Sequence, residues 1–211
     1  MIILFNGPPA SGKDCAADLF KSKGYKHLSF KYQLFKETFK YFDVQESWFM
    51  DEYDNRTVKE RPSCHLGGFS RREALIHVSE NVIKPKRGLD YFGKKVAEEI
   101  CIGKDYVISD GGFAHELFPI INKIGDKNFI LVQLVRDGCD FSTDSRRYFN
   151  GNVVREYVLS SRTEIDTKYM QDYKFDVRTH RIHNNGTVAD LHNVLDEIYE
   201  EEADVKVKER A

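Results

Sequence analysis

The chain has 211 residues, of which 31% are charged and 41% apolar, and so reads as a soluble globular protein with a core of ordinary size. No apolar run reaches the length of a membrane span, and a strand begins within two residues of Met1, so neither membrane anchoring nor a signal peptide is expected. Cys15, Cys64, Cys101 and Cys139 are too scattered for a metal or redox motif, which fits a cytoplasmic compartment.

Ile2-Ile3-Leu4-Phe5 opens a buried strand over 1–6. It runs into Asn6-Gly7-Pro8-Pro9-Ala10-Ser11-Gly12-Lys13-Asp14, and Ala16, Ala17, Leu19 and Phe20 then recur at helical spacing to about Lys23. G-x-x-x-x-G-K between a strand and a helix is the context of a phosphate-binding loop. Gly7 and Gly12 permit the tight backbone wrapping that such a loop needs. The helix points its N-terminus at the anion, and Lys13 supplies a positive charge. The residue after Lys13 is usually a Ser or Thr that binds Mg²⁺; here it is Asp14, either a hard-oxygen metal ligand or a first-turn acid. The candidate nucleotide contacts are therefore Gly7, Pro8, Pro9, Ala10, Ser11, Gly12, Lys13, Asp14 and Cys15.

A short second strand is expected over 25–30, ended by Lys31, with a helix over 32–42 that carries Phe35, Phe39 and Phe42 inward. Residues 21–40 hold six lysines against one glutamate, a solvated face or an anion-binding one. Residues 43–69 show no clear period and read as an insertion that shapes a site. Ser70-Arg71-Arg72-Glu73 has capping-box spacing and opens a helix that ends at Lys84-Pro85. Next come a helix over 89–101, a strand over 106–109 stopping at Asp110-Gly111-Gly112, a helix over 113–124 and a strand over 128–135. A polar, arginine-rich stretch runs from Arg136 to about Thr163. Residues 177–183 form a fifth strand candidate, and Thr187 caps a last helix expected to fray after Glu200. From Asp196 onward, seven acids face three bases, which leaves the rest of the chain at +2.

Strands alternating with helices predict an α/β chain with a three-layer α/β/α architecture around a five-stranded, mostly parallel sheet. One domain, 1–211, is expected, with an acceptor-binding insertion at 43–103, a lid-like region at 136–165 and a frayed acidic tail at 201–211. Ligands of such sheets sit beyond the carboxyl ends of the strands. Asp110, at one such end, can reach Mg²⁺ or an attacking oxygen. Glu116 can orient a neighbour or serve as a first-turn acid. Arg136, Arg146 and Arg147, and separately Arg71 and Arg72, are cations able to stabilise a transferring phosphoryl group or simply to face solvent. Lys84, Lys86 and Arg87 form a further basic group beside Pro85.

Gly7-x-x-x-Ser11-Gly12-Lys13-Asp14 resembles the loop of phage deoxynucleoside monophosphate kinases. Ser29-Phe30 before a lysine-bearing helix, Arg72-Glu73 opening a helix, and Ser109-Asp110-x-x-Phe113-x-x-Glu116 are similar to further motifs of that family. Asn184-Asn185-Gly186-Thr187 resembles its last strand-to-helix turn, which lies near the ATP base, hence Asn185 as a nucleotide contact. Gly112 departs from the pattern, standing where the family often has an arginine.

The resemblance implies a P-loop kinase fold, ATP and Mg²⁺ as cofactors, and transfer of the γ-phosphoryl group to a nucleotide. Lys13, Asp110, Arg136, Arg146 and Arg147 are then the catalytic candidates, and Asp14 and Asp110 the metal ligands. Lys31, Arg71, Arg72, Glu80, Lys84, Phe113 and Glu116 are the acceptor contacts. The expected partner is a small-molecule nucleotide acceptor, most simply a deoxynucleoside monophosphate. The alternative comes from a related phage group that phosphorylates the hydroxymethyl group of 5-hydroxymethyluracil in DNA; a phage-encoded chain would work in the host cytoplasm. A third reading is a non-catalytic nucleotide-binding regulator, although no guanine-reading N-K-x-D motif is present. The chain sets no oligomeric state, and a homodimer stays open.

Overall fold

A computed structural model of the protein describes residues 1–51, 53–142, 146–148 and 176–210. Most of the expected 136–165 lid-like region therefore lies outside the described residues. The chain divides into two compact units, one of Met1–Leu28, Ile100–Ala114 and Ile121–Ala211, the other of Ser29–Glu99 and His115–Ile120.

The first unit holds the sheet. Strands β1 (Ile2–Asn6), β2 (Lys26–Leu28), β3 (Tyr106–Gly111), β4 (Phe129–Val135) and β5 (Arg178–His183) pair in the order β2-β3-β1-β4-β5. Every pairing is parallel, so the sheet is wholly rather than mostly parallel. The unbroken apolar runs of β1 and β4 are buried on both faces, as a sheet covered by helices on both sides requires. On one face, Ala16, Ala17 and Phe20 of α1 (Lys13–Ser22) and Leu191 and Leu195 of α9 (Val188–Arg210) pack on Ile3, Phe5, Val107, Ile130, Val132 and Leu134. Burying a Phe or Leu side chain of this kind contributes roughly 1.5–3 kcal/mol. β1 lies between β3 and β4, so the chain changes side of the sheet around it. The carboxyl ends of these three strands form the switch point where ligands of such folds bind.

Several boundaries differ from expectation for identifiable reasons. The second strand stops at Leu28, because the Ser29 hydroxyl accepts the Tyr32 N–H at 3.0 Å and caps a helix that starts at Phe30. Lys31 therefore lies in the first turn of α2 (Phe30–Phe42), not at a strand end. β3 continues through Asp110 to Gly111. The last helix does not fray at Glu200 but runs to Arg210. Glu202 is buried and pairs with Arg178 and His180 of β5, which holds the helix against the edge strand. At its other end, Thr187 and Asp190 cap each other reciprocally.

In the second unit, the irregular stretch contains α3 (Glu46–Met50), α4 (Arg56–Lys59) and a 3₁₀ turn (Cys64–Leu66). Phe49, Tyr53 and Leu66 are buried with Phe35, Ala74 and Leu75, the last two from α5 (Arg71–His77). The capping box of α5 is formed in both directions, at 3.2 Å to the Ser70 hydroxyl and 2.9 Å to Glu73. The helix does not end at Lys84-Pro85. It passes through a π-helical turn (Val78–Ile83) into α6 (Lys84–Arg87), where Pro85 occupies a first-turn position that needs no N–H. α7 (Tyr91–Glu99) and residues 115–120 of α8 (Ala114–Ile124) complete the unit.

Candidate functional site

The loop after β1 has the backbone of an anion cradle. Ala10 and Gly12 both adopt left-handed conformations, with φ of 62° and 99°. A residue with a side chain is strained there, and strain of this kind is held where the surroundings over-determine it. No side chain caps the N-terminus of α1, which follows the loop directly. Gly7, Pro8 and Ser11 are buried, whereas Pro9, Ala10, Asp14 and Cys15 are exposed. Lys13 Nζ donates to the Pro8 carbonyl at 2.5 Å, so its ammonium lies over the loop itself. The Asn184 side-chain amide braces the same loop by donating to the Ser11 carbonyl at 2.9 Å. A Cβ on Gly12 would run into that amide.

Asn184 and Asn185 turn to different partners. Asn185 accepts the Asp137 N–H at 2.9 Å and ties two loops together, while the buried Asn184 touches the loop after β1. The Asn-Asn dipeptide alone carries no sign of which side chain turns inward.

Asp110 is half-buried at the end of β3. Ile2, Ile3 and Leu4 pair in step with Tyr106, Val107 and Ile108, but Asn6 then pairs with Gly111. Ser109 and Asp110 thus oppose Phe5 alone, and an extra residue of this kind re-aims side chains at strand ends. Asn6, fully buried, donates to the carbonyls of Gly111 at 3.3 Å and Arg147 at 3.1 Å. Arg146 lies with its aliphatic stem against Gly112, where any Cβ would collide with it. The position at which the resemblance expects an arginine is therefore covered by an arginine from elsewhere in the chain. Arg136 is exposed beyond β4, and its carbonyl accepts the Cys139 N–H at 3.0 Å. Phe113 is half-buried at the N-cap position of α8.

In the second unit the expected acceptor contacts divide. Arg71 is 8% exposed, donates to the carbonyls of Phe49 at 2.9 Å and Trp48 at 3.1 Å, and stacks on the Trp48 ring at 4.9 Å. Its guanidinium thus ties α5 to the insertion through the Trp48 and Phe49 carbonyls. Arg72 is exposed, with Glu60 at 3.7 Å. Lys31 and Lys59 each lie 4.7 Å from the centre of the Tyr53 ring. Burial first and Arg72 second push the Lys59 ammonium below its usual pKa. Lys59 carried no motif in the sequence, and its place beside Tyr53 is set by packing. Lys84 is buried and donates to Glu80 at 2.6 Å, and Ser79 donates to the same oxygen at 2.9 Å. Burial, and then the Lys84 charge, push His115 down to about 4. Glu116 is buried in the first turn of α8.

Mg²⁺ prefers one or two carboxylates with substrate phosphates and water to an all-protein cage. Among the described residues no cluster of three His, Cys, Asp or Glu could form such a cage. Asp14 beside the loop and Asp110 at the strand end are single carboxylates of the kind that suits shared coordination, so the residues fit the ion. No described helix is long and apolar enough to cross a membrane.

No family model matches the chain, and no curated protein matches its sequence. Solved structures give distant likenesses. A gluconokinase from Sinorhizobium meliloti 1021 is 11% identical over 98% of this chain and 96% of its own, with a TM-score of 0.46. A dephospho-CoA kinase from Campylobacter jejuni is 14% identical over 95% and 96%, with a TM-score of 0.43. The YorR protein from Bacillus subtilis, in complex with phosphorylated GDP, is 12% identical over 96% and 98%, with a TM-score of 0.40. Likenesses this distant assign no activity to the chain.

Proposed function

We propose that the protein is an ATP-dependent phosphotransferase whose acceptor is a deoxynucleoside monophosphate. The carrying observation is the loop: left-handed Ala10 and Gly12, an uncapped α1 and Lys13 meet at the carboxyl end of the central strand. Backbone N–H groups there would hold the β- and γ-phosphates. Lys13 would turn from the Pro8 carbonyl to the bridging region of the nucleotide and follow the charge that grows on the leaving oxygen. In the transfer an acceptor phosphate oxygen forms a bond to the γ-phosphorus. The bond from that phosphorus to the β–γ bridging oxygen breaks, and ADP leaves with the electron pair. Mg²⁺ supplies neutralisation of the phosphate charge when bound. Asp14 and Asp110 are proposed to hold it, directly or through water. Arg146 and Arg147 are proposed to face the transferred group, and Lys31, Lys59 and Arg72 to grip the acceptor phosphate.

A second acceptor, 5-hydroxymethyluracil in DNA, is favoured by one surface. Lys31, Tyr32, Lys36, Lys40 and Tyr41 are all exposed on α2, and Lys36 lies 4.3 Å from the centre of the Tyr32 ring. Lysines interleaved with tyrosines suit a phosphate backbone and stacked bases. The test offers γ-labelled ATP to free deoxynucleoside monophosphates, plain DNA and hydroxymethyluracil DNA. Label on the free monophosphate with shallow salt dependence is expected. Label on the modified duplex alone would replace the acceptor, and label on none would remove the phosphotransferase reading.

A further inference from the structure

We propose that Asn6, Gly112 and Tyr148 are positioning residues that seat the Arg146-Arg147 pair at the strand ends. The proposal rests on the phosphotransfer reading. It adds how two catalytic cations are held, which no motif of the chain announces.

The seat begins with an unexpected residue. Asn6 ends an otherwise apolar central strand and is fully buried. An apolar side chain would suit that place better, because a buried amide costs free energy unless its hydrogen bonds are made. The Asn6 amide makes them across a gap of 141 residues, donating to the Arg147 carbonyl, and it also donates to Gly111 on β3. The displaced register between β1 and β3 is what sets Gly111 opposite Asn6.

The second fixture is an absence. A Cβ on Gly112 would meet Cβ, Cγ and Cδ of Arg146. Glycine here is required by the close approach of the arginine stem and not by a turn, since the Gly112 φ is not positive. The third fixture is on β4, where the Tyr148 hydroxyl donates to the Leu134 carbonyl at 2.7 Å. The Tyr148 ring is covered by the Arg181 guanidinium at 5.2 Å and meets the Phe141 ring edge-on at 5.0 Å. Three adjacent strand ends, those of β3, β1 and β4, thus each supply one fixture to three consecutive residues. A cation that must follow charge on a transferring phosphoryl group needs such fixing, because a misplacement of about 1 Å can cost about 100-fold in rate.

The experiment uses the full chain with Tyr148→Phe, which removes one hydroxyl, and Gly112→Val, which occupies the place of the Arg146 stem. Two readouts are taken: steady-state phosphotransfer, and the rate of tryptic cleavage after Arg146 and Arg147, located by mass spectrometry. Each variant should lower kcat about 10- to 100-fold, keep the KM for ATP within about twofold, and speed cleavage at those two bonds while the melting temperature holds. The split between kcat and KM is what a merely structural role would not produce. Unchanged kcat with unchanged cleavage would overturn the seat. Faster cleavage with unchanged kcat would overturn its catalytic role. An inactive parent would instead sink the phosphotransfer reading and that role with it, while the cleavage rates would still decide whether the seat exists.

Discussion

Two arginines, Arg71 and Arg146, occupy different surroundings, although the residue after each, Arg72 and Arg147, is exposed. Arg71 is buried among aromatic rings with its N–H groups on the carbonyls of Trp48 and Phe49. Arg146 rests its stem on a glycine at the carboxyl end of β3, and the backbone of Arg147 is held by the last residue of β1. The lysines divide in the same way. Lys84 is buried against Glu80, whereas Lys13 is half-buried and reaches the Pro8 carbonyl of its own loop. The arginine of the insertion is held by backbone carbonyls, and the arginine beside β3 by a glycine that leaves room for its stem. Sequence cannot separate the two, because the Phe49 and Trp48 carbonyls that claim Arg71 lie 22 and 23 residues away.

Arginine replacements should split along this line and give the largest effects. Arg146→Ala should lower kcat about 100- to 1,000-fold and change stability by less than about 1 kcal/mol. Arg71→Met should do the reverse. It leaves buried carbonyls without donors and should cost roughly 3 kcal/mol, read as a shift in the urea midpoint at constant slope. Arg71→Lys should recover little, since a compact ammonium cannot span those carbonyls. An Arg71 variant of parental stability with a raised acceptor KM would erase the distinction.

A smaller effect sharpens the contrast through pH. His115 is held near 4 against 6.5 for the free side chain, by burial and then by Lys84, with Glu80 and Asp90 opposing. In that window the unfolded chain binds a proton that the folded chain refuses. The stability from this group is therefore complete above about 6.5 and lost as pH falls toward about 4. His115→Gln should flatten the difference in unfolding free energy between pH 7 and pH 5, and Lys84→Met should reduce it partway. Identical pH profiles for parent and His115→Gln would mean that the imidazole is not held neutral by its surroundings.

The sheet was legible because its determinants are local. Ile2-Ile3-Leu4-Phe5 and the run before Val135 state their burial in nearly consecutive residues. The capping box at Ser70 was equally plain. What escaped depends on contacts distant in sequence. Ser29 reads as the end of a strand until its hydroxyl is seen to cap a helix. Pro85 reads as a terminator because nothing nearby announces the π-helical turn before it. The helix past Glu200 depends on Glu202 finding Arg178 and His180. The candidate residues Gly7 to Asp14 and Asp110 are proposed from the loop motif and the strand end. Asn6 and Asn184 fall within sequence motifs, but their own contacts, like those of Tyr148, lie on other elements that the motifs do not announce.

The most direct measurement is phosphotransfer from γ-labelled ATP by the parent chain and by Lys13→Ala, with folding of both checked by thermal melting. Lys13 lies on the loop and outside the core, so the variant should melt with the parent. It should also transfer label at least about 1,000-fold more slowly, as expected when a transition-state cation is lost. A folded Lys13→Ala chain that transfers label within a few-fold of the parent would contradict the account at its centre.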